Sequence, residues 1–415
     1  MRARIHRGAH EIGGSCVELE ASSGERLLLD LGMPLELEEG QDPALPDIKG
    51  LASPDPSLLG ILISHAHQDH WGLVPAVPED VPVICGSAAE AIVREAAFWT
   101  RGISFEASGH FHDRTRFELG PFAITPFLAD HSAFDAYSLL VEADGKRLFY
   151  TGDIRAHGRK SFLFEQLVHE APPDVDTLLM EGTHVGQNGE VVHGLPTETA
   201  VEKGCVETFR STPGLVLATF SAQNLDRLVS IFRATKRTGR DLVLDLYGAS
   251  IAKASGNPNI PQASFDRLRV FLPPWQQRRV KASGEFERRD EIEPYRIYEE
   301  EIAKTPESFV MSFSMASASR LEKAGALDGA GALWSLWSGY LEGERGKRHL
   351  DFLSERKIPL TKHHCSGHAS IGDLQRLAKA MDPMQLVPIH TFGASEFGQW
   401  FNDTVEHPDG EWWDV

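Results

Sequence analysis

No apolar run in this 415-residue chain approaches the roughly 18 residues that a membrane-spanning helix needs. The N-terminal Met-Arg-Ala-Arg-Ile-His-Arg also lacks the apolar centre of a secretory signal. The expectation is a protein with no membrane partner. Cysteine is scarce: Cys16, Cys85, Cys205 and Cys365 stand apart, with no C-x-x-C pair. That spacing excludes a disulfide framework and a cysteine-built zinc site, and it fits a reducing, cytoplasmic location. There is no internal repeat and no low-complexity tract, so solenoid and disordered readings fall away. Composition is 41% hydrophobic and 24% charged, ordinary for a globular chain with room for two or three domains.

Positive charge is also in short supply, with 41 basic against 60 acidic side chains and a net charge of −19. Alone, this argues against tight non-specific binding to an anionic nucleic acid. The shortage is uneven. Residues 201–290 hold 15 Lys and Arg against 9 Asp and Glu, a net of +6, and the remainder carries −25. Within the basic stretch, Arg233, Lys236, Arg237, Arg240, Arg278 and Arg279 are candidates to guide a nucleic-acid strand, or else form a solvated helix face.

The first half reads as short strands and turns. Residues 5–20 form two strands about a Gly13-Gly14 turn, and residues 27–29 form a buried strand running into Asp30. Further strands are expected at 58–64, 122–128, 137–142 and 147–151, with Asp144-Gly145 as a hairpin turn and a helix at 87–100. After Glu181 the pattern changes. Residues 215–220, a helix at 221–238 capped by Ser221 and closed by Gly239, and residues 242–246 make a strand–helix–strand unit at parallel-sheet spacing. Residues 309–313 and a helix from Ser319 look like another such unit, and 258–290 reads as loop with short helix. Trp334, Trp337 and Tyr340 have the spacing of a core-facing helix, with base stacking as the alternative.

Chemistry concentrates in Ser64-His65-Ala66-His67-Gln68-Asp69-His70, directly after an apolar strand. Imidazole and carboxylate suit zinc, and manganese or iron less well. Alternate side chains on such a loop aim inward, so His65 and His67 can grip one metal while Asp69 and His70 grip a second. Four more polar residues close other strands: His131, Asp153, Glu181 and His390. They are candidates for the third ligand of one metal, a bridging carboxylate and an outer ligand of the second.

The ordered set Asp30, His65-x-His67-x-Asp69-His70, His131 and Asp153 resembles the metallo-β-lactamase superfamily. Glu181, Ser366-Gly367-His368-Ala369-Ser370 and Pro388-Ile389-His390-Thr391 resemble its β-CASP branch, which includes ribonuclease J. The likeness runs from Arg4 to about Phe397. It implies an α/β fold: an αββα metallo-β-lactamase sandwich at 1–193, an inserted Rossmann-like β-CASP domain at 194–349, and completion of the sandwich at 350–415. It implies that His65, His67 and His131 bind one divalent metal and that Asp69, His70 and His390 bind the second. Asp153 would bridge them and Asp30 would support the site from behind. His368 would act as general acid, held by Glu181, and Asp69 would join the catalytic set. The expected cofactors are two divalent ions, zinc before manganese. Cys365 is expected to pack rather than ligate.

The implied activity is hydrolysis of phosphodiester bonds in single-stranded RNA. Two metals can activate water and clamp a phosphodiester oxygen, and a histidine can protonate the leaving oxygen. In the β-CASP branch a histidine at the last motif marks the RNA-cleaving members, so His390 points to RNA and away from the alternative DNA nuclease. A lactone or thioester hydrolase would need neither His368 nor a basic insertion, and a silent scaffold would have lost ligands that this chain keeps. The chain departs from ribonuclease J in ending soon after the last motif and in a Met311–Ala316 segment without the Gly-rich form of the phosphate pocket, so the resemblance leaves 5′-end recognition, and endo- against exonucleolytic action, open. The resemblance admits a homodimer.

Overall fold

The structure, a computed structural model, describes every residue except 36–42, 101 and 187–193. The chain divides into two compact units. The first comprises Met1–Arg94, Ile103–Leu195 and Gly367–Val415, and the second comprises Glu95–Gly102 and Pro196–Ser366.

The first unit holds two mixed sheets. One runs in the order Trp412–Asp414, Arg2–Arg7, Cys16–Glu20, Arg26–Leu29, Leu58–Leu62, Val83–Cys85, Gly109–His110. The other runs Gln385–Ile389, Thr177–Glu181, Lys146–Tyr150, Ala136–Ala143, Phe122–Ala129, Phe117–Leu119. The two-residue period of a strand assigns alternate side chains to different layers. Leu27 and Leu29 join Ile5, Leu19, Phe122, Leu139 and Leu148 in the core between the sheets, while Leu28 turns to the other side, with Ile61, Ala89 and Val93. In the second sheet Leu179 faces the shared core, and Leu178 and Met180 face Phe164 and Leu167 of helix Ser161–His169 and Leu374 and Leu377 of helix Ile371–Met381. Helix, sheet, sheet and helix are thus stacked by alternating apolar residues, the αββα sandwich that the resemblance implies. Each fully buried Leu or Phe contributes about 1.5–3 kcal/mol.

The second unit is built on one parallel sheet in the order Arg296–Ile297, Leu268–Phe271, Asp241–Asp245, Phe309–Ser312, Val216–Thr219, Gly331–Trp334, Leu360–Lys362. Its inner strands are continuous apolar runs because both faces are covered. Leu360–Lys362 pairs with Gly331–Trp334, so the chain stays in this unit to Ser366. The expected return at 350 falls inside helix Glu344–Glu355, whose Phe352 and Leu353 pack into this unit's core.

Other expectations shift in detail. Ser221 does not cap the helix that follows it. Residues 221–224 form a turn, and Asn224 caps Leu225–Arg237 by accepting from the Arg227 amide at 3.0 Å. The stretch 258–290 contains a strand, Leu268–Phe271, and a ten-residue helix, Pro274–Ser283. Arg240 is buried, donating to the Gly214 and Thr212 carbonyls. It secures a loop and is removed from the candidates for guiding a strand. Arg237 pairs with Glu202 at 3.1 Å and Arg279 donates to the Phe98 carbonyl. Arg233, Lys236 and Arg278 are exposed. Only Trp334 of the aromatic trio is core. Trp337 and Tyr340 are 62% and 61% exposed, because a 3-10 turn rather than a long helix follows Trp334.

Candidate metal centre and active site

The first unit gathers its titratable side chains where strands end. Strand Leu58–Leu62 runs into Ser64-His65, and the short helix Gln68–Trp71 carries Asp69 and His70. The turn after strand Arg26–Leu29 holds this loop through its backbone: the Leu31 amide donates to the His70 carbonyl at 2.8 Å and the Met33 amide to the Gln68 carbonyl at 3.0 Å. Gly32 sits where a Cβ would overlap the Asp69 carbonyl, so the close approach needs glycine there. Asp30, at φ 59, is fully buried. Its carboxylate accepts from the Ser64 amide and hydroxyl, the Tyr150 hydroxyl and His70 Nδ1, all at 2.6–2.7 Å. That last bond fixes the His70 ring so that Nε2 faces the cluster.

His131 follows strand Phe122–Ala129, and its Nδ1 donates to the Gly367 carbonyl at 2.7 Å, leaving Nε2 to face inward. Nε2 of His65 and Nε2 of His131 lie 3.2 and 3.1 Å from His67 Nδ1. Asp153 is central. Its Oδ2 lies 3.3 Å from His70 Nε2, 3.6 Å from His65 Nε2, 3.8 Å from His390 Nε2 and 4.0 Å from His131 Nε2. Asp69 Oδ2 is 3.8 Å from His70 Nε2 and 3.9 Å from His390 Nε2. His390, which follows strand Gln385–Ile389, is held at Nδ1 by the Ser15 hydroxyl at 3.1 Å and the Gly13 amide at 3.3 Å.

Three overlapping sets of ligand atoms result: His65, His67, His131 and Asp153; Asp69, His70 and His390; and Asp153, His368 and His390. Burial, with neighbouring imidazoles adding to it, holds His65 and His131 well below the usual histidine range, so both are neutral, the form that binds a cation. Burial pushes the Asp153 carboxyl up, but His390, His70 and His368 outweigh it and hold it well below the carboxylate range. His70 Nε2 and Asp153 Oδ1 are buried without a hydrogen-bond partner. Orphaned polar atoms cost free energy unless something pairs with them. Three nitrogens gathered within about hydrogen-bond distance, with two buried orphans, fit a site for divalent cations.

His368 stands beside this group. Its Nδ1 lies 3.0 Å from Thr183 Oγ1, 3.3 Å from Glu181 Oε1 and 3.8 Å from Asp153 Oδ2. Glu181 ends strand Thr177–Glu181 and is itself fixed by the Ile154 and Thr183 amides. Burial lowers the His368 imidazole, but Glu181 and Asp153 outweigh it and raise it to about 9. Every residue nominated from sequence as a metal ligand, its support or the general acid therefore lies in one cluster. Ser15, Tyr150 and Thr183 were not nominated. Thr183 sits two residues beyond Glu181, the one hint the sequence offered, while Ser15 and Tyr150 arrive only through the folded sheets. Cys365 lies in the second unit against Glu198 and Arg227.

The fold and this cluster are those of a metallo-β-lactamase-type scaffold. Residues 32–213 match the β-lactamase superfamily domain. The chain is 27% identical over 257 residues to ribonuclease J of Mycobacterium tuberculosis, covering 58% of this chain and 43% of that protein. It is 23% identical over 306 residues to an RNase J-like protein of Methanocaldococcus jannaschii, covering 69% and 67%. A protein of unknown function from Enterococcus faecalis shares the fold, with a TM-score of 0.76 at 18% identity over 99% of both chains. Residues 32–213 are thus similar to the metallo-β-lactamase superfamily domain, and the chain resembles ribonuclease J and RNase J-like proteins. It spans less than half the length of the Mycobacterium tuberculosis ribonuclease J that it matches. Among the described residues no helix is long and apolar enough to cross a membrane.

Proposed function

We propose that the protein is a metal-dependent ribonuclease of the β-CASP type that hydrolyses phosphodiester bonds of single-stranded RNA. The observation that carries this is the convergence of His65, His67, His70, His131 and His390 on Asp153, with buried nitrogen and oxygen atoms left for a cation. The likeness to ribonuclease J supplies the substrate class. His65, His67 and His131 would hold one divalent ion and Asp69, His70 and His390 a second, with Asp153 between them. Bound there, two such ions, zinc before manganese, would supply Lewis acidity toward the phosphate and a water nucleophile at neutral pH.

The chain's own residues do the rest. Asp30 and the Gly367 carbonyl hold His70 and His131 in the tautomer that points Nε2 inward. Glu181 and Thr183 hold Nδ1 of His368, and the raised pKa keeps that imidazole protonated at neutral pH, as a general acid requires. His368 would pass its proton to the leaving oxygen, and Glu181 would stabilise the charged imidazolium beforehand. The test is digestion of end-labelled RNA carrying 5′-triphosphate, 5′-monophosphate or 5′-hydroxyl ends, beside single-stranded DNA and a lactone, with elemental analysis of the same preparation. Metal-bound protein that cleaves RNA well and the others poorly supports the proposal. Preferential lactone hydrolysis without RNA cleavage overturns it.

A further inference from the structure

The second unit contains a cavity of about 280 Å³ that the reaction above does not use. It opens at the carboxyl ends of three adjacent parallel strands, Asp241–Asp245, Phe309–Ser312 and Val216–Thr219. Its place follows from the connectivity. The chain leaves Val216–Thr219 through helix Leu225–Arg237 and crosses past Phe309–Ser312 to Asp241–Asp245. It leaves Phe309–Ser312 through helix Met315–Ala324 and crosses the opposite way, past Val216–Thr219, to Gly331–Trp334. Right-handed crossovers in opposite directions put the two helices on opposite faces of the sheet. A crevice then opens between the strand ends, where open α/β sheets take their ligands.

The walls are aromatic: Phe220, Tyr247, Trp275 and Phe313. The polar groups are few and directed. The Asp245 carboxylate accepts from the Gly248 amide and from Gln276 Nε2, both at 2.8 Å, which leaves each oxygen a further acceptor position. Ser312 Oγ accepts from the Asp245 amide at 3.0 Å, so its O–H is left to donate. The Tyr247 hydroxyl likewise accepts from Gln223 Nε2 at 3.3 Å and keeps its proton for a ligand. Among the described residues no Lys or Arg lines the cavity. A carboxylate without a nearby cation turns a phosphate away, and the volume lies just under the roughly 300 Å³ at which drug-sized pockets begin. What fits is one flat base whose pairing edge presents an amino donor beside a ring-nitrogen acceptor.

We infer that this cavity binds a single unpaired nucleobase bearing an amino group, cytosine or adenine, stacked on the aromatic walls with its amino group donating to Asp245 and its ring nitrogen accepting from Ser312 or Tyr247. Uracil presents carbonyl oxygens on both sides of its N–H, and one of them would face the carboxylate. As a base carried by an RNA strand, the ligand rests on the proposed function. As a free nucleoside it does not, and the experiment separates the two. Burial pushes the Asp245 carboxyl above its ordinary range, a cost that a donating ligand relieves.

The experiment is calorimetric titration of the full chain with cytidine, adenosine, uridine and spermidine, and then with short oligocytidylate and oligouridylate. Cytidine and adenosine should bind at least about tenfold more tightly than uridine, the range of one directed base contact. Oligocytidylate tighter than cytidine assigns the base to a strand. Equal affinity assigns the site to free nucleosides. Asp245→Asn keeps a good helix cap and should erase the preference against uridine. Tyr247→Phe removes only a hydroxyl and should weaken cytidine about fivefold, which keeps the inference testable if Asp245→Asn does not fold. No saturable nucleoside binding, uridine equal to cytidine in the wild type, or spermidine tighter than either would overturn it. Because binding is read without hydrolysis, a chain that binds cytidine but cleaves no RNA keeps this cavity and loses the proposed function. A chain that cleaves RNA but binds no nucleoside does the reverse.

Discussion

The histidine–aspartate cluster of the first unit and the crevice of the second are both built where strands run out, yet their chemistries are opposite. The cluster packs five inward-facing imidazoles around one carboxylate, and its ligand atoms lie within 4.8 Å of one another in each set. The crevice has aromatic walls and one carboxylate held by an amide and a glutamine. The first is crowded with like groups arranged as cation ligands would be. The second is walled by aromatic rings, and its carboxylate turns anions away. Strand ends therefore fix where a site forms, and the side chains placed there decide whether it gathers charge or a flat ring.

The sharpest way to break the contrast is at Asp153. Asp153→Ala removes the carboxylate that would stand between the two proposed cations, so cation content and RNA cleavage should be lost together, read by elemental analysis and end-labelled RNA. Retained activity would dissolve the cluster as a reacting centre. His368→Ala should keep the cations and the fold but lose roughly 10²–10⁴-fold in rate, the range of a general acid. The loss should shrink on a p-nitrophenyl phosphodiester, whose leaving group needs no proton. Glu181→Gln should give a milder loss in the same assay, because it perturbs the orientation and charge of His368 without removing it.

A third effect concerns stability. Glu18 is fully buried and pairs with Arg4, His6 and Arg26. Burial raises its carboxyl, but hydrogen bonds from these three outweigh it and lower it from 4.5 to about 2. Its contribution, about 3 kcal/mol, is present above pH 4.5 and is lost as pH falls toward 2. Urea unfolding from pH 6 to pH 2.5 should show the decline, and Glu18→Gln should flatten it. An unchanged slope in the variant would remove Glu18 as the cause. The smallest expected effect is Thr183→Val, which removes one contact at His368 Nδ1 and should lower the RNA rate several-fold with cations retained.

The two regions also differ in how much the sequence disclosed. His65, His67, Asp69 and His70 are neighbours in the chain, so their spacing alone suggested ligands, and His131, Asp153 and His390 each close a recognisable apolar strand. The walls of the crevice come from Phe220, Tyr247, Trp275 and Phe313, spread over nearly a hundred residues, and nothing local marks them as partners. Ser221 was misread as a cap because a serine before an apolar run is a good signal, while Asn224, one turn later, wins by starting the helix where its amphipathic face begins. Trp337 and Tyr340 were misread because their spacing suits a helix that Gly339 and the turn at Ser338–Leu341 do not form. The boundary of the insertion was set too early because Leu360–Lys362 is a three-residue edge strand with little apolar signal of its own.

If the cluster around Asp153 cleaves RNA, it should do so only with cations bound. The most direct measurement is cleavage of end-labelled single-stranded RNA by the full chain stripped with a chelator and then given back zinc or manganese, with bound metal counted at each step. The stripped protein should not cleave, recovery should keep step with metal uptake, and Asp153→Ala should show none of that recovery. Cleavage by the stripped protein, or full metal uptake with intact RNA, would contradict it.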